Sequence, residues 1–360
     1  MKHIYTFLML FLFSNVLFAQ DDSIAKSPLT FSGYLDVYYA FDLDNPDDHL
    51  RPGFMYSFNR HNEFNINLAM VKLNFSKEKL RANIGLMAGT YASANLASEP
   101  LALRYVYEAN AGIKLSKSKN LWLDAGIMPS HIGLESAIGR DNWTLSRSIL
   151  ADNSPYYESG AKLGYTSANG KWFLSGMVLN GWQRIARPTG NNSPAFGHQI
   201  TWKPSTKITL NSSSFVGNDK PDSVAQMRVF HNFYGVFQLS DRIGAALGFD
   251  IGAEKPANGG NAYNIWYSPL AIVRAQLTDR LTLAARGEYY VDPNGVILPT
   301  GTTNGFRTLG YSLNADVAIL ENVLWRIEGR GFSSMDPIFL RNNQSTRANF
   351  GMTTSLCVAF

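Results

Sequence analysis

The chain has 360 residues, of which 45% are hydrophobic and 13% aromatic, with only 17% charged and a formal net charge of +4. That apolar and aromatic content excludes disorder, and so small a charge gives no pointer to nucleic acid. One cysteine, Cys357, excludes an intramolecular disulfide framework and a cysteine-based zinc site.

The first segment reads as an address. Lys2 and His3 precede an apolar run from Ile4 to Phe13, and Leu17-Phe18-Ala19 ends on a small residue before Gln20. A run of this length matches a secretory signal peptide and is too short for a membrane anchor. Residues 1–19 are therefore expected to be cleaved, leaving 20–360 as one domain outside the cytoplasm. Beyond the leader there is no run of 18 apolar residues, so no helical membrane span is expected.

From Leu29 onward the hydrophobic period is two. Leu29, Phe31, Leu35, Val37, Tyr39 and Phe41 alternate with Thr30, Ser32, Tyr34, Asp36, Tyr38 and Asp42. The same alternation returns at 105–115, 281–292 and 309–319. Such runs are about ten residues long, the length that a tilted strand needs to cross a bilayer; strands of soluble sheets are nearer five or six. About sixteen runs are found, starting near Leu29, Phe64, Leu80, Leu103, Leu121, Tyr157, Lys171, Phe196, Ile208, Gln226, Ile243, Ile265, Leu281, Phe306, Val323 and Ala348. The phase changes near Ala69 to Val71, which predicts a bulge there.

The connections alternate between short and long. Short ones fall near 76–79, 117–120, 168–170, 204–206, 240–242, 278–280 and 321–322. Long ones span 43–63, 92–102, 129–156, 183–194, 218–225, 253–264, 293–305 and 333–347. Short turns on one side and long loops on the other is the pattern of an outer-membrane barrel. The last run, Ala348 to Phe360, carries no charge or Pro after Arg347, as an exposed edge would, so it is expected to close against the first strand. The fold class is thus all-β, a transmembrane antiparallel β-barrel of about 16 strands.

In hydrocarbon every backbone polar group must pair internally, so the sheet must close on itself. At sixteen strands the cylinder is too wide for its own side chains to fill, which predicts a water-filled channel. Parity places Asp36, Asp124, Glu158, Lys162, Arg274, Arg286, Glu288, Asp316, Arg326, Glu328 and Arg330 on the lumen side. Arg286, Glu288, Arg326, Glu328 and Arg330 are expected to form a mid-height patch, read either as a charge-biased constriction or as a salt-bridge ladder stiffening the wall. Loop 129–156 is too apolar for a solvated loop and too long to be idle. It is expected to fold inward, with Glu135, Arg140, Asp141, Trp143 and Arg147 at the eyelet; packing on a neighbouring subunit or capping the barrel from outside is the alternative.

Four stretches resemble a known family: HNEFNINLAMVKLNF (61–75), LWLDAGIMPSHIGLES (121–136), DNWTLSRSILADNSPYYESGAKLGY (141–165) and Asn180-Gly181-Trp182. They are similar to the OmpL-like β-barrel porins. The resemblance is strongest from about His61 to Trp182 and implies a porin-type barrel in the bacterial outer membrane. It supplies no ligand and no binding residues.

Other chemistry is weakly signalled. The six histidines never stand at i, i+4 with a Glu between, so a zincin site is absent. Ser130-His131 is adjacency without triad geometry, and no Ser–His pair is expected on the lipid phase of neighbouring strands, so no enzyme is expected. Asp42, Asp47 and Asp48 are better read as a solvated acidic loop than as a Ca²⁺ site, and neither metal nor cofactor is expected. Three functions remain open: a porin for passive diffusion of small hydrophilic solutes; a sugar- or anion-selective channel, with Tyr34, Tyr38, Trp122 and Tyr290 as stacking steps; and a non-conducting surface or adhesion barrel. Outer-membrane lipid surrounds the barrel in each case, and association into a homotrimer is left open.

Overall fold

A computed structural model describes residues 27–257, 259–260, 262–342 and 344–360; the expected leader, 1–19, lies outside the described residues. The strands are β1 (Leu29–Asp42), β2 (Phe64–Lys77), β3 (Leu80–Ala88), β4 (Val106–Lys114), β5 (Asn120–Pro129), β6 (Tyr157–Thr166), β7 (Trp172–Leu179), β8 (Ala195–Ser205) and β9 (Ile208–Asn218). They continue as β10 (Met227–Gln238), β11 (Ile243–Glu254), β12 (Asn264–Gln276), β13 (Leu281–Asp292), β14 (Phe306–Leu320), β15 (Val323–Ser334), β16 (Phe339–Arg341), β17 (Gln344–Thr346) and β18 (Ala348–Ala359). Neighbours in sequence pair antiparallel from β1 to β15, and β18 joins β15 to β1 to close the barrel. The short β16–β17 hairpin stands apart in a long loop.

Closure follows from the last strand's unbroken alternation. β18 runs beside β1 from Tyr34↔Ala359 to Asp42↔Gly351, so no edge of the cylinder is left unpaired. Outward positions are apolar and exposed, as at Leu247, Phe249, Leu309, Leu313 and Met352. The outer face is therefore apolar and the inner wall carries buried polar and charged residues such as Asp36, Arg286 and Glu328, the reverse of a water-soluble sandwich.

Two local expectations shift. The bulge lies at Asn67, where Asp36 pairs with Leu68 and Val37 with Ile66, slightly before the position that the apolar phase suggests. The extra residue turns the Asn67 side chain into the lumen. There its Oδ1 accepts the Phe58 N–H at 3.0 Å and its Nδ2 donates to Asp36 at 3.3 Å. The fourth strand starts at Val106 instead of near Leu103, because Leu101–Leu103 winds into a 3₁₀ turn after Pro100.

Loops 43–63, 89–105 and 130–156 enter the barrel, and Leu298 and Phe339 of two further long loops pack onto the same interior cluster as Phe54. Loop 43–63 inserts Phe54, which meets Phe306 and Phe332 edge-on, ring centres 5.0 Å apart in each case. Loop 89–105 carries α1 (Thr90–Asn95), which buries Tyr91 and Ala92. Loop 130–156 carries α2 (Ile149–Asp152), all four residues of which are buried. Each aromatic or branched side chain removed from water contributes roughly 1.5–3 kcal/mol, so the loops are held in the lumen by their own apolar content.

Candidate functional site

On the lumen wall, β13 sets Arg286 and Glu288, and β15 sets Arg326, Glu328 and Arg330, at alternate positions on either side of β14. Glu288 on β13 and Arg330 on β15 meet across β14 at 2.7 Å, and Arg286 meets Glu328 at 2.9 Å. The intervening strand allows this because Gly310 has no side chain: a Cβ there would stand 2.7 Å from Glu288 Cγ. All four residues are buried. Buried ion pairs persist only when most of their remaining donors and acceptors are also satisfied; loop 130–156 supplies partners for the Arg286 and Arg330 terminal nitrogens and for both carboxylates, while the two Nε atoms make no hydrogen bond.

The loop lies along this wall, gripped by a series of charge-assisted bonds. Arg286 donates to the Ser146 carbonyl at 2.7 Å, to Ser146 Oγ at 3.0 Å and to Thr144 Oγ1 at 3.1 Å. Arg330 donates to the Arg147 carbonyl at 2.8 Å and to Ser146 Oγ at 3.1 Å. In return the loop's N–H groups reach the wall's acceptors: Leu145 to Asn314 Oδ1 (3.0 Å), Ser146 to Glu328 (2.8 Å) and Ile149 to Glu288 (2.5 Å). Further along, Arg326 holds the Gly139 and Asn142 carbonyls at 2.5 and 2.9 Å while pairing with Asp316 at 2.7 Å. The Arg140 guanidinium reaches the Glu321 carbonyl, in the short turn after β14, at 3.3 Å. The loop thus descends from the long-loop side to the short-turn side of the barrel.

The expected eyelet residues divide by role. Arg147 is buried, pairs with Asp152 at 2.7 Å and lies 3.3 Å over the Tyr156 ring. Glu135 accepts the Ser148 N–H and hydroxyl, and burial pushes its carboxyl above the usual range despite the opposing Arg286 charge. Both brace the loop internally. Trp143 is half-buried with Arg274 stacked 4.2 Å over its ring. Arg140 is half-exposed and Asp141 exposed.

The facing wall, β2 to β9, is different. Its inward residues Lys72, Arg81, Asn83, Asn110, Lys162 and Gln199 are all half-exposed. Lys72 pairs with Glu108 at 2.5 Å, and Arg81 pairs with Asp124 at 2.5 Å while covering Trp122 at 4.3 Å. Lys162, beside Asp124 in register, has no ion pair within 4 Å among the described residues. Glu158, two alternation steps higher on the same strand, is buried; Ser130 Oγ lies 3.5 Å from it and His131 Nδ1 3.9 Å. Burial lowers the His131 imidazole to about 4, keeping it neutral at pH 7. Asp124, Glu158 and Lys162 therefore stand apart from the Arg286–Arg330 network.

Three of the aromatic residues considered as sugar steps, Tyr34, Tyr38 and Tyr290, are buried and present no open face; Trp122 remains half-exposed. Asp42 is likewise not a solvated carboxylate: it is buried 3.9 Å from Arg51 and accepts Asn349 at 2.7 Å. The inward course of loop 43–63 was not anticipated, although Phe54, Met55 and Phe58 in its sequence were signal enough. Tyr34, whose hydroxyl accepts the Arg140 N–H at 3.2 Å, and Asn314, which accepts the Leu145 N–H, carried no sequence signal as loop holders. Contrary to the expectation of no Ser–His pair on the lipid phase, Ser212 Oγ and His231 Nε2, on neighbouring strands, lie 2.9 Å apart on the lipid face. Strand register brings them together, and register is invisible in a single strand's alternation.

A family profile described as "putative beta-barrel porin-2, OmpL-like" matches residues 28–360. No curated protein matches the chain. Among solved structures, the barrel is similar to an anion-selective porin from Comamonas acidovorans (TM-score 0.62, 8% identity, 92% of this chain and 99% of that one). It is also similar to the outer-membrane channel DcaP of Acinetobacter baumannii (0.60, 9%, 95% and 100%) and to the trimer form of OmpT from Vibrio cholerae (0.57, 11%, 92% and 99%). At such identities the likeness is one of fold.

Proposed function

Because the chain belongs to the OmpL-like β-barrel porin-2 family and forms a porin-type outer-membrane barrel, we propose that it conducts small hydrophilic solutes by passive diffusion, with a preference for anions. The observation that supports this is the asymmetry of the lumen. Loop 130–156 is clasped to the β13–β15 wall, while the β2–β9 wall keeps a file of half-exposed polar side chains. Water and solute pass between the two.

On this reading Arg286, Glu288, Arg326, Glu328 and Arg330 set the bore by fixing the loop, since with Asp316 as the partner of Arg326 their charges cancel in three pairs and are covered. The bias comes from Lys162, an inward mid-strand cation with no ion pair among the described residues, opposed by the exposed Asp141 of the loop. A charge on the wall of a narrow aqueous pore raises the local concentration of the opposite sign. The Comamonas structure is described as anion-selective, and three-fold association, as in the trimer form of OmpT, is part of the same proposal.

Liposome swelling tests it. Vesicles carrying the folded protein should swell in small neutral sugars and in monovalent anionic solutes, and more slowly in cationic solutes of equal size. No swelling in any of them would leave the surface-protein reading standing. Uptake of one solute alone would favour a selective channel.

A further inference from the structure

We propose that the outer wall formed by β8, β9 and β10 is where copies of this chain meet. The lipid-facing surface is apolar almost throughout, and exposed Phe196, Ile200, Trp202, Val216, Val229 and Phe233 surround this region. In their midst stand four polar side chains on the same face: His198, Ser212, Ser214 and His231. Register makes them neighbours, since Ser214 pairs with His198 on one side and with His231 on the other.

They form one chain of hydrogen bonds. Ser214 Oγ lies 2.5 Å from His198 Nδ1, His198 Nε2 lies 3.4 Å from Ser212 Oγ, and Ser212 Oγ lies 2.9 Å from His231 Nε2. The two imidazole rings are 5.5 Å apart. Two neutral imidazoles and two hydroxyls carry four donor hydrogens, and three bonds use three of them. With Ser214 donating first, the hydrogen left over is on His231 Nδ1, while Ser214 Oγ keeps unused lone pairs. With the chain reversed, the Ser214 hydroxyl keeps the hydrogen and His231 Nδ1 the lone pair. Either way one end is a donor without an acceptor and the other an acceptor without a donor.

Lipid tails can satisfy neither. A second copy presenting the same wall satisfies both, because the His231 end of one chain is complementary to the Ser214 end of the next. Head-to-tail complementarity of this kind closes in any cyclic assembly, so the proposal fits two copies or three. The Ser212–His231 pair also has the reach of a nucleophile and its base. Acyl transfer there would need free backbone N–H groups for the oxyanion, and the strand N–H groups around Ser212 are spent in the ladders to β8 and β10.

Cysteine reporters test the assembly. On a Cys357→Ala background, Val229→Cys, Phe233→Cys and, on the far wall, Leu313→Cys are each placed in full-length protein and treated with a short bis-maleimide in native outer-membrane vesicles. Covalent dimer is expected at 229 and 233 in at least tenfold excess over 313. Adding Ser212→Ala and Ser214→Ala should cut that yield severalfold, in barrels shown by heat-modified gel mobility to be folded. Equal yields at 229, 233 and 313, or a yield indifferent to the two serines, would overturn the proposal. So would labelling of Ser212 by a fluorophosphonate, which would make the pair catalytic.

Discussion

Removal of the Arg286 side chain is the sharpest perturbation of the lumen. Its guanidinium makes four bonds: three to Thr144 and Ser146 of loop 130–156 and one to Glu328 on the wall. Arg286→Ala deletes them together and leaves Glu328 buried without its partner. Breaking one side of a buried pair costs about 3–5 kcal/mol. At about 1.4 kcal/mol per tenfold, the ratio of clasped to released loop falls by roughly 10² to 10³·⁵. The Arg330 and Arg326 contacts and the Asn314 cap remain, so the loop should fluctuate instead of leaving the barrel. In single-channel recordings Arg286→Ala should show flicker between the parent level and a larger one, and Arg286→Lys, which keeps one charge without the fork, should fall between. A channel with parent conductance and noise, in protein whose loop resists protease as the parent does, would refute the idea that these bonds fix the bore.

Three further outcomes are expected. Lys162→Glu should move the reversal potential in a salt gradient toward cation preference; an unmoved potential would place the conducting path elsewhere. His131 has a folded-state value of about 4 against about 6.5 when unfolded. The unfolded chain therefore binds more protons between those values, so stability should fall as the pH drops from about 6.5 to about 4, by up to about 3 kcal/mol. His131→Gln should lose that part of the slope in urea titrations at pH 7 and pH 4.5; identical slopes would contradict it. Leu313→Arg, at the most exposed point of the β14 outer face, should cost roughly 2–4 kcal/mol, read as a lower midpoint of unfolding from lipid vesicles, whereas no change would mean that this face is not lipid-bound.

How much of this was legible in the sequence varies with the physics involved. Strand alternation is local, so the phases of Arg286, Glu288, Arg326, Glu328 and Arg330 could be read directly, as could the closing strand and the sorting of loops. The apolar content of 129–156, with Ile132, Leu145, Ile149 and Leu150, pointed to its inward course for the same reason. What alternation does not carry is which residues on separate strands face each other. The crossing of Arg330 to Glu288 over Gly310, the Asn67 bulge and the Ser212–His231 contact all depend on register. The loop's descent to Glu321 was equally hidden, since it rests on backbone carbonyls that any sequence offers. Reading the aromatic residues of the polar phase as open platforms failed at Tyr34, Tyr38 and Tyr290, because neighbouring loops cover them.

Conduction requires an open path between loop 130–156 and the β2–β9 wall, and single-channel recording on the wild-type protein tests for it most directly. Folded protein added to a planar bilayer should give discrete, ohmic steps whose reversal potential in a potassium chloride gradient favours chloride. Repeated insertion of verified folded barrels without any step would show that the loops seal the lumen and that this barrel does not conduct.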